Sequence, residues 1–144
     1  MSFKKDYILN KKKLWNENHS KKKGFFTKNY QKIISHYYSH IIPQGSSILE
    51  IGCGDGTLLN SLNPIKGVGI DFSSVAIDIA SKNKKDDNIN LILIDDFVDF
   101  INDKKIIFFY IILSDLINDI YDIDELLKYV RKHCNSETRV VFNY

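Results

Sequence analysis

The chain has 144 residues, 44% of them hydrophobic, and a net charge of only +2. That length suffices for one compact domain with a real core and is short for two. The longest apolar run, Ile106 to Leu113, is far below the roughly 20 residues that cross a bilayer, and Met1-Ser2-Phe3-Lys4-Lys5-Asp6 lacks the apolar segment of a secretory leader, so the expected location is cytoplasmic.

The front is read as a basic N-terminal helical extension over residues 1–29. Residues 1 to 47 hold 10 Lys against 2 acids, whereas 48 to 144 hold 10 Lys or Arg against 16 acids. Lys11-Lys12-Lys13 and Lys21-Lys22-Lys23 suit an anionic partner such as nucleic acid or a phosphorylated substrate. Lysine-rich helices are more often only solvated, and no nucleic-acid-binding motif accompanies Trp15, Phe25 and Phe26, so nucleic acid is not the favoured partner.

A domain over residues 30–144 follows. Tyr30, Ile33, Ile34, Tyr37, Tyr38 and Ile41 recur at helical spacing until Pro43 and Gly45 stop the helix. Five strands are then predicted, over Ser47–Ile51, Gly67–Asp71, Asn90–Asp95, Ile106–Leu113 and Thr138–Tyr144. Runs such as Leu91-Ile92-Leu93-Ile94 are apolar on both faces, which suits parallel strands buried between helices. Crossover helices are expected over Thr57–Leu62 and Ser73–Lys82. A last helix is capped by Asp122, with Glu125 three residues on and a stripe of Ile123, Leu126, Leu127, Val130 and Cys134. The alternation implies an α/β, Rossmann-like, doubly wound parallel sheet with ligands at the carboxyl ends of its strands. Cys134 belongs to the core stripe, and neither it nor Cys53 has metal-ligand spacing, so reduced thiols and no metal site are expected.

Between the first strand and its helix stands Glu50-Ile51-Gly52-Cys53-Gly54-Asp55-Gly56. Glycine at every second position lets the backbone turn sharply and approach a ligand, and the following helix is expected to offer unpaired N–H groups to ligand oxygens. A dinucleotide fingerprint has the spacing G-x-G-x-x-G, which these glycines lack, and Glu50 sits poorly beside a pyrophosphate but well beside an ammonium and a sulfonium. The favoured cofactor is S-adenosyl-L-methionine (SAM), ahead of a nicotinamide dinucleotide. Asp71, at the end of the second strand, is placed to accept both hydroxyl hydrogens of a ribose, and Phe72 to lie on an adenine face. Asp95 and Asp96 offer an acceptor to the adenine amino group, and the backbone of Asp96 or Phe97 a donor to a ring nitrogen. Glu50, Asp71 and Asp95 are therefore expected to converge.

These motifs resemble the class I SAM-dependent methyltransferase family over roughly residues 30 to 144. Leu49 to Gly56, including Gly52, Cys53, Gly54 and Gly56, is similar to the family's SAM loop. Gly67 to Ser73 resembles its second strand and ribose acid, and Ile94-Asp95-Asp96 its adenine-side acid. Ile111 to Leu116, with Leu113 and Ser114, looks like the fourth-strand motif whose end faces the methyl group. Ile42-Pro43, Ile111 to Ile120 and Arg139 to Tyr144 further resemble bacterial methyltransferase domains associated with glycosyltransferases, which implies a glycan-related or other small acceptor. The family commonly has Asp before its fourth strand, where Phe108-Phe109-Tyr110 stand here. Its sheet has seven strands, of which this chain supplies five; the resemblance implies truncation after the fifth, whose edge a missing C-terminal segment or a partner covers.

Methyl transfer needs chiefly that nucleophile and sulfonium be held in line. Asp115, just past the fourth strand, is the candidate to orient or deprotonate the acceptor, with Ser114 and Asn118 beside it. Two alternatives remain open: a SAM-binding module or remnant without turnover, and a nucleic-acid methyltransferase using the lysine-rich front.

Overall fold

The computed structural model describes residues 3–95 and 106–143. Five parallel strands form one sheet: β1 (Ser47–Ile51), β2 (Lys66–Asp71), β3 (Ile89–Leu93), β4 (Tyr110–Ser114) and β5 (Arg139–Asn143), in the order β3-β2-β1-β4-β5. Among the described residues five α-helices accompany them: α1 (Phe3–Ser20), α2 (Phe25–Ile41), α3 (Thr57–Ser61), α4 (Ser74–Asn83) and α5 (Ile123–Lys132). A short 3-10 turn, Ile117–Asp119, follows β4. The result is the doubly wound α/β architecture expected from the alternation of elements.

Successive side chains of a strand point to opposite faces, and each face here has its own apolar layer. Leu49, Ile51, Val68, Ile70, Ile111 and Leu113 face Leu126 and Val130 of α5. Ile48, Tyr110 and Ile112 face Tyr38 of α2 and Leu58 and Leu59 of α3. Burying one such aliphatic side chain stabilises the fold by about 1.5–3 kcal/mol. Both faces are covered, which is why these strands carry unbroken apolar runs.

Three boundaries differ from expectation by two residues or more. The fourth strand begins at Tyr110: before it, Phe108 donates its N–H to the His133 carbonyl at 3.2 Å, and its ring is fully buried in the α5-side layer. The third strand stops at Leu93, so Asp95 falls beyond its end. Helix α2 starts at Phe25, and only part of its apolar set faces inward: Tyr38 is buried and Ile34 packs beside it, while Ile33, Tyr37 and Ile41 are exposed.

The sheet positions the site through its reversal of strand order. The chain winds outward from β1 through β2 to β3, then returns across β1 to β4. The carboxyl ends of β1 and β4 therefore diverge into a crevice, the place where open α/β sheets bind ligands.

Candidate cofactor site

Above that crevice lies a cavity of about 430 Å³, a size typical of small-molecule sites. Its floor is Glu50, Gly52, Cys53, Gly54, Asp55, Asp71 and Phe72, one wall is Ser114, Asp115 and Leu116, and its roof carries Trp15 and His19 from α1.

The loop after β1 folds back on β2. Gly52 and Cys53 both donate their N–H groups to the Ile70 carbonyl, at 2.8 and 3.0 Å. Gly54 donates to Asp71 Oδ2 at 2.9 Å, Gly56 to the Cys53 carbonyl at 3.0 Å, and Thr57 to Asp55 Oδ1 at 3.3 Å. The expectation of unpaired N–H groups at the start of α3 is corrected in part, because those of Gly56 and Thr57 are bonded within the loop. Loops that bind phosphate aim free N–H groups at the anion. This one turns the N–H groups of Gly52, Cys53, Gly54 and Gly56 onto the protein itself, which disfavours a pyrophosphate independently of glycine spacing.

Gly52 and Gly54 need their glycine identity for different reasons. Both have positive φ, 75° and 52°, a region that costs a side chain roughly 1–2 kcal/mol. A Cβ on Gly52 would also lie 2.8 Å from Leu116 Cδ1, while one on Gly54 would meet only the His19 ring, at 3.4 Å. Gly54 thus bares backbone to the cavity under His19. Gly56 turns away, toward Ala80 of α4, and serves packing.

Glu50 is 3% exposed and its Oε2 has no hydrogen-bond partner among the described residues. Burial, reinforced by the charges of Asp71 and Asp55, holds its carboxyl well above the usual range. Burial, with the charges of Glu50, Asp71 and Asp55, pushes the Cys53 thiol up. Asp71 is also raised by burial, against the opposing donors Ser73 N–H, at 2.8 Å, and Gly54 N–H. At Asp55 burial opposes the charge, but the Lys23 ammonium and the donors of Thr57 outweigh it and pull the carboxyl down. The centre is an acidic pocket with an unmatched acceptor.

Several expected site residues lie elsewhere. Asp95 does not line this cavity: its side chain is 94% exposed, it pairs with Lys12 at 2.9 Å, and it borders a smaller neighbouring cavity that shares Phe72 and Asp119 with the first. Leu113 is fully buried in the α5-side layer and does not line the cavity. Asp96 and Phe97 lie outside the described residues.

Asp115 is in the left-handed region, φ 52°, where side chains are rare outside turns and functional sites. Tyr30 of α2 donates its hydroxyl to both Asp115 oxygens at 2.8 Å, and Asn143 of β5 donates its amide to Oδ1 at 2.6 Å. Tyr38 donates to Asn143 Oδ1 at 2.8 Å, and burial pushes the Tyr38 phenol up to about 12. Sequence reasoning missed Tyr30, Asn143, Trp15 and His19, whose site partners lie on distant parts of the chain; the charge contrast between front and body was the available signal.

A parallel α/β sheet with a carboxylate-floored crevice at its point of reversal defines a Rossmann-like domain. The chain belongs to the methyltransferase domain family, whose model matches residues 24–144. Solved structures agree in fold. The plantazolicin methyltransferase BpumL, solved with S-adenosylhomocysteine (SAH), is 25% identical at a TM-score of 0.60, over 78% of this chain and 44% of that one. DhpI, also solved with SAH, gives a TM-score of 0.78 at 15% identity, over 99% of this chain and 70% of that one. Haemonchus contortus phosphoethanolamine N-methyltransferase 1, solved with phosphoethanolamine and SAH, gives 0.81 at 14% identity, over 98% of this chain and 33% of that one. The chain thus spans under half the length of BpumL. No curated protein matches.

Proposed function

We propose that this chain binds SAM in the cavity above β1 and β4 and transfers its methyl group to a small acceptor. One observation carries the reading: a buried carboxylate oxygen of Glu50 with no partner among the described residues, at the floor of a cavity whose glycine loop has bonded the N–H groups of Gly52, Cys53, Gly54 and Gly56 within the protein. A ligand that brings hydrogen-bond donors and positive charge meets that need, and SAM brings both. Its bound form supplies an electrophilic methyl on sulfonium sulfur.

The chain's own residues divide the work. Glu50 takes the ammonium end, and Asp71, whose oxygens each accept one N–H, keeps lone pairs for ribose hydroxyls. Phe72 offers an apolar surface for the adenine. Asp115, fixed by Tyr30 and Asn143, orients an acceptor hydroxyl or amine and takes its proton. The neighbours' names support methyl transfer but span a peptide-like product and phosphoethanolamine, so a glycan-related acceptor remains one proposal within the small-acceptor class. Residues 1–29 we regard as part of the site, since Trp15 and His19 roof it. Four of the front's lysines are engaged with body carboxylates, which weighs against the nucleic-acid reading.

Calorimetric titration tests the cofactor. SAM and SAH are expected to bind, NADH is not, and Asp71→Ala should weaken SAH at least tenfold, on the order of 1.4 kcal/mol. Undiminished affinity in Asp71→Ala would remove the ribose assignment. Release of SAH from SAM with an acceptor separates an enzyme from a cofactor-binding module, and Asp115→Asn should lower that turnover while leaving SAH affinity intact.

A further inference from the structure

Helix α1 roofs the cavity, yet none of its side chains is fully buried; Tyr7, Ile8 and Trp15 are half-buried. Helix α5, of 10 residues, is anchored by buried Leu126 and Val130; α1, of 18, is anchored by polar bridges. Lys4 pairs with Glu125 at 2.5 Å, Lys12 with Asp95 at 2.9 Å, and Lys11 with Asp119. Trp15 Nε1 donates to Asp119 Oδ2 at 3.0 Å, and Asn16 Oδ1 accepts from Ser73 Oγ at 2.6 Å. Every one of these partners lies in the acidic body, 57 to 121 residues further along the chain. Three lysines of the basic front and three acids of the body thus close one helix over one site.

We propose that α1 is a charge-latched roof, and that ionic strength sets how fast an S-adenosyl ligand enters and leaves. The proposal rests on the cofactor reading above. A ligand seated on Gly54 lies beneath His19, whose ring would be 3.4 Å from a Cβ at that glycine, so it cannot lift off the loop until α1 moves. Partly exposed ion pairs weaken as salt shortens the screening length, from about 10 Å at 0.1 M to about 3 Å at 1 M. Apolar burial has no such dependence on screening, and α1 has little of it: Tyr7, Ile8 and Trp15 are half-buried, and the Tyr7 ring lies 5.4 Å from that of Tyr121.

The test compares the wild type with the triple variant Lys4→Gln, Lys11→Gln, Lys12→Gln, none of which lines the larger cavity. Stopped-flow dissociation of SAH is expected to accelerate in the wild type on the order of fivefold between low salt and about 0.5 M, and to be fast and nearly salt-independent in the variant. Acrylamide quenching of Trp15, the only tryptophan in the chain, reads the roof without ligand. It should rise with salt in the wild type and start high in the variant. Salt-independent quenching in the wild type overturns the proposal, even if the variant fails to fold. SAH binding to neither protein overturns the cofactor reading instead, and Trp15 still decides the roof.

Discussion

The cost of burying Glu50 depends on pH. Its folded carboxyl is held well above the ordinary 4.5 by burial and by Asp71 and Asp55. A raised carboxyl contributes stability that is fully present below the unfolded value and is lost as pH rises through the folded one. Glu50→Gln should therefore raise the melting temperature of cofactor-free protein at neutral pH by about 3–6 °C, with the gain vanishing below about pH 4.5. A gain that stayed constant with pH in thermal melts would refute this account. The same variant should weaken SAM, because an amide gives up the charge that the ammonium meets. Gly54→Ala is expected to lose about 1–2 kcal/mol of stability through its positive φ and to abolish SAH binding by standing a methyl in the cavity. Glu50 and Asp71 were legible in the sequence because each sits at the end of a strand beside the glycine loop. Asp95 lies two residues past the end of β3 and borders the neighbouring cavity, with Phe72, instead of the larger one. Leu113 shares the parity of Ile111, and in a period-two strand that parity points to the α5 layer.

Among the elements, α5 shows how far local chemistry decides a boundary. Asp122 accepts the Glu125 N–H at 2.9 Å, as the spacing predicted, but the Glu125 side chain pairs with Lys4. Asp122→Ala should cost about 1 kcal/mol in urea denaturation, leaving the affinity for SAH unchanged; altered affinity would mean that the cap also supports the roof. The helix centres and strand cores were legible because their apolar periodicity is local. The start of β4 was not, since Ile106 to Leu113 is apolar throughout and gives no period to mark where pairing begins. The docking of α1 was equally hidden: its partners are matched by charge across distant stretches of chain, and its lysines read equally well as solvated.

At the scale of the molecule, β5 forms one edge of the sheet, pairing with β4 alone among the described residues. Val141 packs beneath α2, but Val140 and Phe142 point outward, and Phe142 is 56% exposed. An apolar edge of this kind recruits another strand, so sedimentation velocity should show concentration-dependent association that Phe142→Lys diminishes. Unchanged association in that variant would place the contact elsewhere. The paired anchorage of the glycine loop on the Ile70 carbonyl has a different consequence. A turn stitched to the central strands is preorganised: it surrenders little freedom when a ligand arrives, so affinity is not eroded by ordering the cradle. Deuterium should accordingly exchange slowly at the Gly52 and Cys53 amides of the empty protein, scarcely slower once it is filled, with the large change confined to the backbone of α1.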